Sequence, residues 1–389
     1  MVLLRESFLS LQYCGIWPPL HLDSKSWQYR AYSLYTIYIV AVMYWFTFSE
    51  LINLLITTDG IEDFSDTCFM LLSTAAVCAK ILITLMKRSE IRDVLVALES
   101  YPYKPMNLEE QKIQDEYDGQ VRFLTFFYGV ATEITVWCMT IFTFFQGIPF
   151  GVLPYKAWVP YDYSEPRVYW FTYYQQLLSV LLAANLDIGF DTIIPGFMLQ
   201  ICAQFNILKC RLHRVVNYFD DMEFSQKRSS ETLVFYENRL VDCIKYHRDI
   251  FEMADKINSL FTSIIFVQYA ASFIIICVSV LLISQMPLFS PKFLALFMYL
   301  SCMLLQIFMF CAAGNEATIQ CQNMINGISG SRWYLLGSRM KKYLVLMMLR
   351  TLRPVRFVSG FVIVLSLDSF CILIKKSYSA YTVLQRSSS

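Results

Sequence analysis

Residues 357–385 read FVSGFVIVLSLDSFCILIKKSYSAYTVLQ. From Phe357 to Ile374 the stretch is about as apolar as a membrane span and close to the roughly 20 residues that one requires. Beyond Ile374 it turns polar, with Lys375, Lys376, Ser377, Tyr378, Ser379, Tyr381, Thr382 and Gln385. A lone helix in lipid does not carry serines, a threonine and a glutamine on one face, because each gives up its water without a partner. At helical spacing Tyr378, Thr382 and Gln385 stack on one side, with Val383 and Leu384 elsewhere. Such a face suits a helix whose copies surround a narrow wet path. The alternative is a terminal helix whose polar end emerges into water.

The rest of the chain sets the class. Its 389 residues are 56% hydrophobic and only 16% charged, against about 25% charged in an ordinary soluble domain, and the mean hydropathy is +0.46. This is the composition of an all-α, polytopic membrane protein whose partner is the lipid bilayer. A net charge of +1 without a long basic run gives no reason to expect nucleic acid. The twelve cysteines fall mostly in apolar segments and are expected as free thiols. Arg5 and Glu6 interrupt the apolar N-terminus, which does not read as a signal peptide.

Seven long apolar segments run over 31–57, 64–86, 122–147, 168–194, 259–286, 292–314 and 357–385. Lys and Arg concentrate in alternate connections: 87–121, 207–258 and 331–356. The positive-inside rule then places the N-terminus in the cytoplasm and the C-terminus outside. The predicted organisation is a cytoplasmic segment at 1–30 and spans one to four at 31–194. Cytoplasmic helical extensions follow at 195–258, spans five and six with an extension at 259–330, a cytoplasmic helix at 331–355 and the last helix with its tail at 356–389. Residues 197–218, 230–258 and 332–352 keep apolar positions at helical spacing against a basic face. Three such helices can bury their stripes against one another as a cytoplasmic anchor; lying flat on the membrane is the alternative.

Catalytic signatures are lacking. His21, His213 and His247 have no metal-ligand spacing, and no Gly-rich phosphate loop occurs; neither an enzymatic activity nor a cofactor is expected. Ionisable residues at membrane depth mark either a partner or a function. They are Lys80, Glu133, Asp187, Asp191, Glu316 and Asp368. Asp187 and Asp191 share a helix face near the cytoplasmic end, which suggests structural partners among the basic cytoplasmic helices.

The outer halves of spans two to six are rich in aromatics. Phe69, Met70 and Ser73 stand in span two, and Val130, Glu133 and Trp137 share a face of span three. Tyr173 and Leu177 follow in span four and Met298 in span six. Interfacial belts account for some of these rings. Trp137, about two turns deeper and on the face of Glu133, fits an anchor less well; a largely apolar pocket with one or two polar groups, suited to a small volatile hydrophobic ligand, is the alternative.

The chain resembles the insect odorant receptors, seven-helix ligand-gated cation channels. The resemblance begins at Gly15-Ile16-Trp17-Pro18-Pro19 and continues through Pro149, Pro154, Trp158-Val159-Pro160 and Tyr173-Tyr174-Gln175. It goes on through Phe310-Cys311-Ala312-Ala313-Gly314-Asn315-Glu316 and Trp333-Tyr334. It ends on Ser369-Phe370, Leu373-Ile374-Lys375-Lys376-Ser377-Tyr378-Ser379 and Val383-Leu384. The resemblance implies a tetramer whose last helices line a central pore, here at Tyr378, Thr382, Val383 and Gln385, with a shared cytoplasmic anchor. It implies a pocket among spans two, three, four and six for a small volatile organic odorant. It also implies a heterotetramer with a co-receptor subunit in the plasma membrane of a sensory neuron dendrite. The short second cytoplasmic loop, and the extension past Gln385 into Arg386 and three serines, resemble a ligand-tuning subunit. Thr382 falls at the family's narrow apolar gate, a polar departure there. A gustatory-type channel of the same superfamily and a homotetrameric odorant receptor are the alternatives. A G-protein-coupled receptor or a transporter fits less well, given the inverted orientation and the absence of Asp-Arg-Tyr after span three.

Overall fold

A computed structural model describes residues 3–19, 26–56, 61–145, 153–224, 230–288, 290–360 and 363–388. The helices in chain order are α1 (Arg5–Tyr13), α2 (Trp27–Ile56), α3 (Ile61–Met86), α4 (Arg88–Leu98) and α5 (Leu108–Phe145). They continue with α6 (Pro166–Phe224), α7 (Ser230–Gln285), α8 (Pro291–Ser329), α9 (Ser338–Thr351) and α10 (Leu367–Ser388). Among the described residues, α2, α3, α5, α6, α7 and α8 are long and apolar enough to cross a membrane. His21 and Pro149 lie outside the described residues, as do the side chains of Val383, Leu384 and Gln385.

Four helices outrun a bilayer. With 38, 59, 56 and 39 residues, α5, α6, α7 and α8 exceed the roughly 20 residues that cross it. Their extensions meet at the basic end, where α4 and α9 pack on α7. Leu208, Leu212 and Val216 of α6 are buried in one cluster with Leu240 and Ile250 of α7 and Met340, Leu344 and Met347 of α9. Part of each amphipathic stripe is thus buried within a single chain, while Phe235, Leu346 and Leu349 stay exposed. Side chains seal the joint: Arg211 Nη2 lies 2.9 Å from Glu110 Oε2, and the Arg350 guanidinium stands 3.9 Å from the Phe251 ring centroid. Tyr103 donates its hydroxyl to the Asp249 carbonyl at 2.9 Å. Burial pushes that phenol up to about 12, so it remains a donor.

The N-terminal segment is part of the bundle rather than a free arm. Gly189 and Gly196 stand seven residues apart, two turns, on one face of α6. A Cβ on Gly189 would come within 2.6 Å of Leu11 Cδ2, and one on Gly196 would collide with Leu4. Leu4 and Leu11 are also seven apart, so α1 seats antiparallel in a groove that the two glycines leave. Between them Ser7 accepts from the Thr192 hydroxyl at 2.8 Å and lies 3.2 Å from the Thr125 hydroxyl of α5. The turn after α1, with Gly15 at φ +77°, is held by Tyr32, whose hydroxyl donates to the Gln12 and Trp17 carbonyls. This gives the Gly15-Ile16-Trp17 motif its role: Ile16 and Trp17 are buried plugs.

The expected span at 357–385 starts ten residues late. Val358–Ser359 and Ile363–Val364 pair as a small antiparallel hairpin instead. The residues of this segment favour that outcome. Val358, Ile363 and Val364 are β-branched, and Gly360 takes φ +54°, a conformation costly for any other residue. The hairpin is pinned to α7, where Asn258 Oδ1 accepts from the Val358 N–H at 2.8 Å and Thr262 donates to the Val358 carbonyl at 2.9 Å. Ser366 caps α10, accepting from the Ser369 N–H at 3.2 Å. The helix proper has 22 residues, about 33 Å at 1.5 Å per residue and enough to span a bilayer. Leu373 and Ser377 are buried on α7 and α8, while Ile372, Lys375, Lys376 and Tyr378 point outward.

A candidate ligand cavity and the ion network at its base

A cavity of about 110 Å³ lies inside the bundle, enclosed by α3, α5, α6, α7, α8 and Tyr155 of the connection before α6. It exists because the facing helices carry small side chains there: Ala76, Ala183, Ala184 and Ala271. Its size is of the order of cavities that accept one benzene-sized molecule. Met70, Val77, Val136, Met139, Val180, Ile275 and Met303 make the walls largely apolar. The polar groups of the wall are mostly paired among themselves. The Ser73 hydroxyl meets Tyr299 across the α3–α8 contact, Thr135 lies 3.2 Å from Cys302 Sγ, and Thr74 donates to Glu50 Oε2 at 2.6 Å.

The base of the cavity is ionic. Lys80 Nζ stands 2.6 Å from Asp187 Oδ1 and 2.6 Å from Asp191 Oδ1. The two carboxylates follow one another by a helical turn on α6, so a single ammonium from α3 reaches both. Asp191 Oδ2 also accepts from Gln306 Nε2 of α8 and from the Tyr128 hydroxyl of α5 at 3.2 Å. Gln306 in turn accepts from Gln268 Nε2 of α7 at 2.7 Å. Five helices thus share one buried polar chain, which satisfies charges that lipid would penalise. The partner of Asp187 and Asp191 is Lys80 of the neighbouring span, not the basic end as the sequence suggests. The reason is local, since α3 and α6 lie side by side at that depth.

The expected ligand residues divide. Met70 and Ser73 line the cavity, and Phe69 packs on Tyr299 with ring centroids 5.3 Å apart. On α5 the lining residues are Tyr128, Thr132, Thr135, Val136 and Met139, the face opposite Val130, Glu133 and Trp137. Trp137 is 49% exposed on the outside of the bundle, and Val130 is also exposed. Glu133 turns to α6, where Asn185 Nδ2 donates to it at 2.8 Å. Tyr173 is buried among Tyr169, Trp170 and Tyr174 at the start of α6. Leu177 and Met298 are half-buried, and neither they nor Tyr173 lie on the cavity wall. Tyr128, Asp187, Gln268, Tyr299 and the four alanines carry the site without having been singled out for it. The intramembrane glutamines 268 and 306 were the available signal, because an amide at that depth requires a partner.

The comparisons with known proteins agree with this architecture. The family model described as 7tm Odorant receptor matches residues 60–378. Odorant receptor Or1 of Anopheles gambiae is 25% identical over 98% of this chain and 95% of its own length. Odorant receptor 94a of Drosophila melanogaster is 22% identical, covering 96% and 94%. The fold is also that of the insect olfactory receptor OR5 from Machilis hrabei, solved in complex with eugenol. That structure superposes with a TM-score of 0.84 over 99% of this chain and 97% of that one, at 12% identity. Matched by that model from α3 into α10 and aligned with such relatives over nearly all its length, this chain belongs to the 7tm odorant receptor family of insects.

Proposed function

We propose that this chain is the ligand-tuning subunit of an odorant-gated, non-selective cation channel in the plasma membrane. A small volatile hydrophobic molecule binds in the cavity bounded by α3, α5, α6, α7 and α8. The observation that carries this reading is that cavity, largely apolar, enclosed by the spanning bundle and floored by fixed charge. The Machilis hrabei receptor of the same fold was solved with eugenol. Met70 and Ser73 contact the ligand, with Phe69 behind them, while Tyr173, Leu177 and Met298 border its approach. Trp137 and Val130 face away from it, and Glu133 positions α5 against α6.

The pore is lined by α10 of four subunits, through Tyr378, Thr382, Val383 and Gln385. In support, Tyr378 is 63% exposed in the isolated chain while Leu373 and Ser377 hold the opposite side of the helix against the bundle. The basic end faces the cytoplasm, which leaves the C-terminus outside. A ligand opens the pore only by binding the open arrangement better than the closed one. The cavity touches α7 and α8, the two helices on which α10 packs, so a ligand that moves them moves the pore helix. The short connection between Phe224 and Ser230 supports a tuning subunit that works with a co-receptor in a heterotetramer.

Whole-cell current during an odorant panel tests this, with the chain expressed alone and then with an insect co-receptor. Fast inward current in the pair and none from either subunit alone is the expected result. Current from the chain alone would replace the heterotetramer with a self-sufficient homotetramer. Silence in both despite surface expression, or a C-terminal tag inside the cell, would overturn the reading.

A further inference from the structure

The base of the cavity holds a hydrogen-bond acceptor, Gln268 Oε1, that has no donor among the described residues. Gln306 must direct its nitrogen at the Asp191 carboxylate, because a carboxylate accepts and an amide oxygen does not donate. The Gln306 oxygen therefore faces Gln268 and accepts from its Nε2 at 2.7 Å. The same Nε2 donates to Ser272 Oγ at 2.9 Å. This fixes the remaining Gln268 atom as an oxygen, and that Oε1 has no partner although the residue is 2% exposed. Asp187, by contrast, is served at both oxygens, accepting from Lys80 at 2.6 Å and from Gln306 Nε2 at 3.4 Å. Both Gln268 and Asp187 line the cavity. A buried acceptor without a donor costs about as much as a lost hydrogen bond.

We propose that this receptor is tuned to small neutral alcohols, whose hydroxyl donates to Gln268 Oε1 at the base of the cavity while the hydrocarbon fills its apolar walls. The inference rests on the cavity being the ligand site. A ketone or aldehyde can only accept, and a hydrocarbon does neither. A protonated amine is disfavoured because the Lys80 ammonium already lies 2.6 Å from Asp187 and repels a second cation at the same carboxylate.

The test uses the purified full-length chain and four probes of equal heavy-atom count: cyclohexanol, cyclohexanone, methylcyclohexane and cyclohexylamine. The readout is the concentration of each that gives half-maximal thermal stabilisation. Cyclohexanol is expected to act at roughly tenfold lower concentration than the other three, the effect of one buried donor–acceptor pair. Gln268→Met, which keeps the volume and removes the acceptor, should shrink that ratio severalfold. Equal concentrations for the alcohol, ketone and hydrocarbon would mean that water serves Gln268, and would overturn the inference. Tighter action by cyclohexylamine would overturn it in favour of charge, as would an unchanged ratio in Gln268→Met. The wild-type ranking alone decides the matter if that variant does not fold. Ala271→Phe, which fills the cavity, separates the two levels of the argument. If it abolishes the action of all four probes while the wild-type ratio is near one, the cavity stands and the alcohol preference falls. If all four act unchanged on Ala271→Phe, the cavity is not the ligand site and both readings fall.

Discussion

Lys80 Nζ lies 2.6 Å from Asp191 Oδ1, and neither side chain retains any exposure. A charge in that position cannot be solvated by moving, so α3 and α6 are held at one relative depth. Tyr128 and Gln306, bonded to the same carboxylate, add α5 and α8 to the arrangement. The cavity sits against this fixed point, and Tyr155 and Tyr299 also line it.

Lys80→Met should leave two buried carboxylates facing one another without a cation. The expected cost is about 3–5 kcal/mol, the range for breaking one side of a buried pair. The variant should lose surface expression, and Asp187→Asn together with Asp191→Asn should restore part of it. Normal surface biotinylation of Lys80→Met would show that the pair is dispensable.

Gly314 of α8 lets the chain turn into α10. A Cβ there would stand 2.7 Å from both Leu365 Cβ and the Leu365 carbonyl oxygen, a contact that backbone must relieve. Gly314→Ala is expected to lower stability by about 1–3 kcal/mol and to impair gating, since Leu365 immediately precedes the cap of α10, the helix proposed to line the pore. Gly119, inside α5, has nothing within 4 Å of an added Cβ. Gly119→Ala should therefore raise stability by about 0.5–1 kcal/mol through helix propensity. Melting of the two variants in parallel checks the contrast.

These residues also show what a sequence discloses. The charges at Lys80, Asp187 and Asp191 stand out at once against apolar spans, so the presence of buried partners was legible. Its pairing was not, because hydropathy orders helices along the chain and says nothing of which two lie side by side. The same limit applies to α5. Periodicity separates the face of Val136 from that of Trp137, but both faces carry apolar and polar residues, and only packing decides which turns inward. Apolar length misleads at 357–366, where Gly360 and β-branched residues form a hairpin that hydropathy alone reads as the start of a span. The seat for α1 was written in the matched spacing of Gly189 and Gly196 with Leu11 and Leu4. That signal has meaning only once the two segments are known to meet.

The α1 seat makes its own prediction. Gly196→Val places a side chain where Leu4 packs, so α1 should leave its groove while the spanning helices persist. Limited proteolysis should then cut between residues 5 and 13 in the variant and spare the wild type. Equal protection in both would mean that α1 is held by the turn at Gly15 alone.

If α10 lines the pore as proposed, Gln385→Glu should place a ring of carboxylates in the permeation path and raise the preference for divalent over monovalent cations. Reversal potentials measured under bi-ionic conditions would register the change. An unchanged permeability sequence would remove Gln385 from the pore.

Val136 and Trp137 are consecutive, yet the structure assigns them opposite consequences. Val136 lines the cavity, and Val136→Phe adds a ring to a space of about 110 Å³; the side chain can be accommodated only by occupying the volume the ligand needs. Ligand-evoked current should vanish at unchanged surface expression, with stability lowered by no more than about 1–3 kcal/mol. Trp137, half exposed on the far side of the helix, contributes nothing to the cavity wall. Trp137→Ala should keep the half-maximal ligand concentration within about threefold of wild type, a shift below 1 kcal/mol. The pair is informative because both variants perturb the same turn of α5, so a general effect on that helix would strike them alike. Loss of response in Trp137→Ala with a normal response in Val136→Phe would place the ligand on the outer face of α5 and empty the cavity of its role.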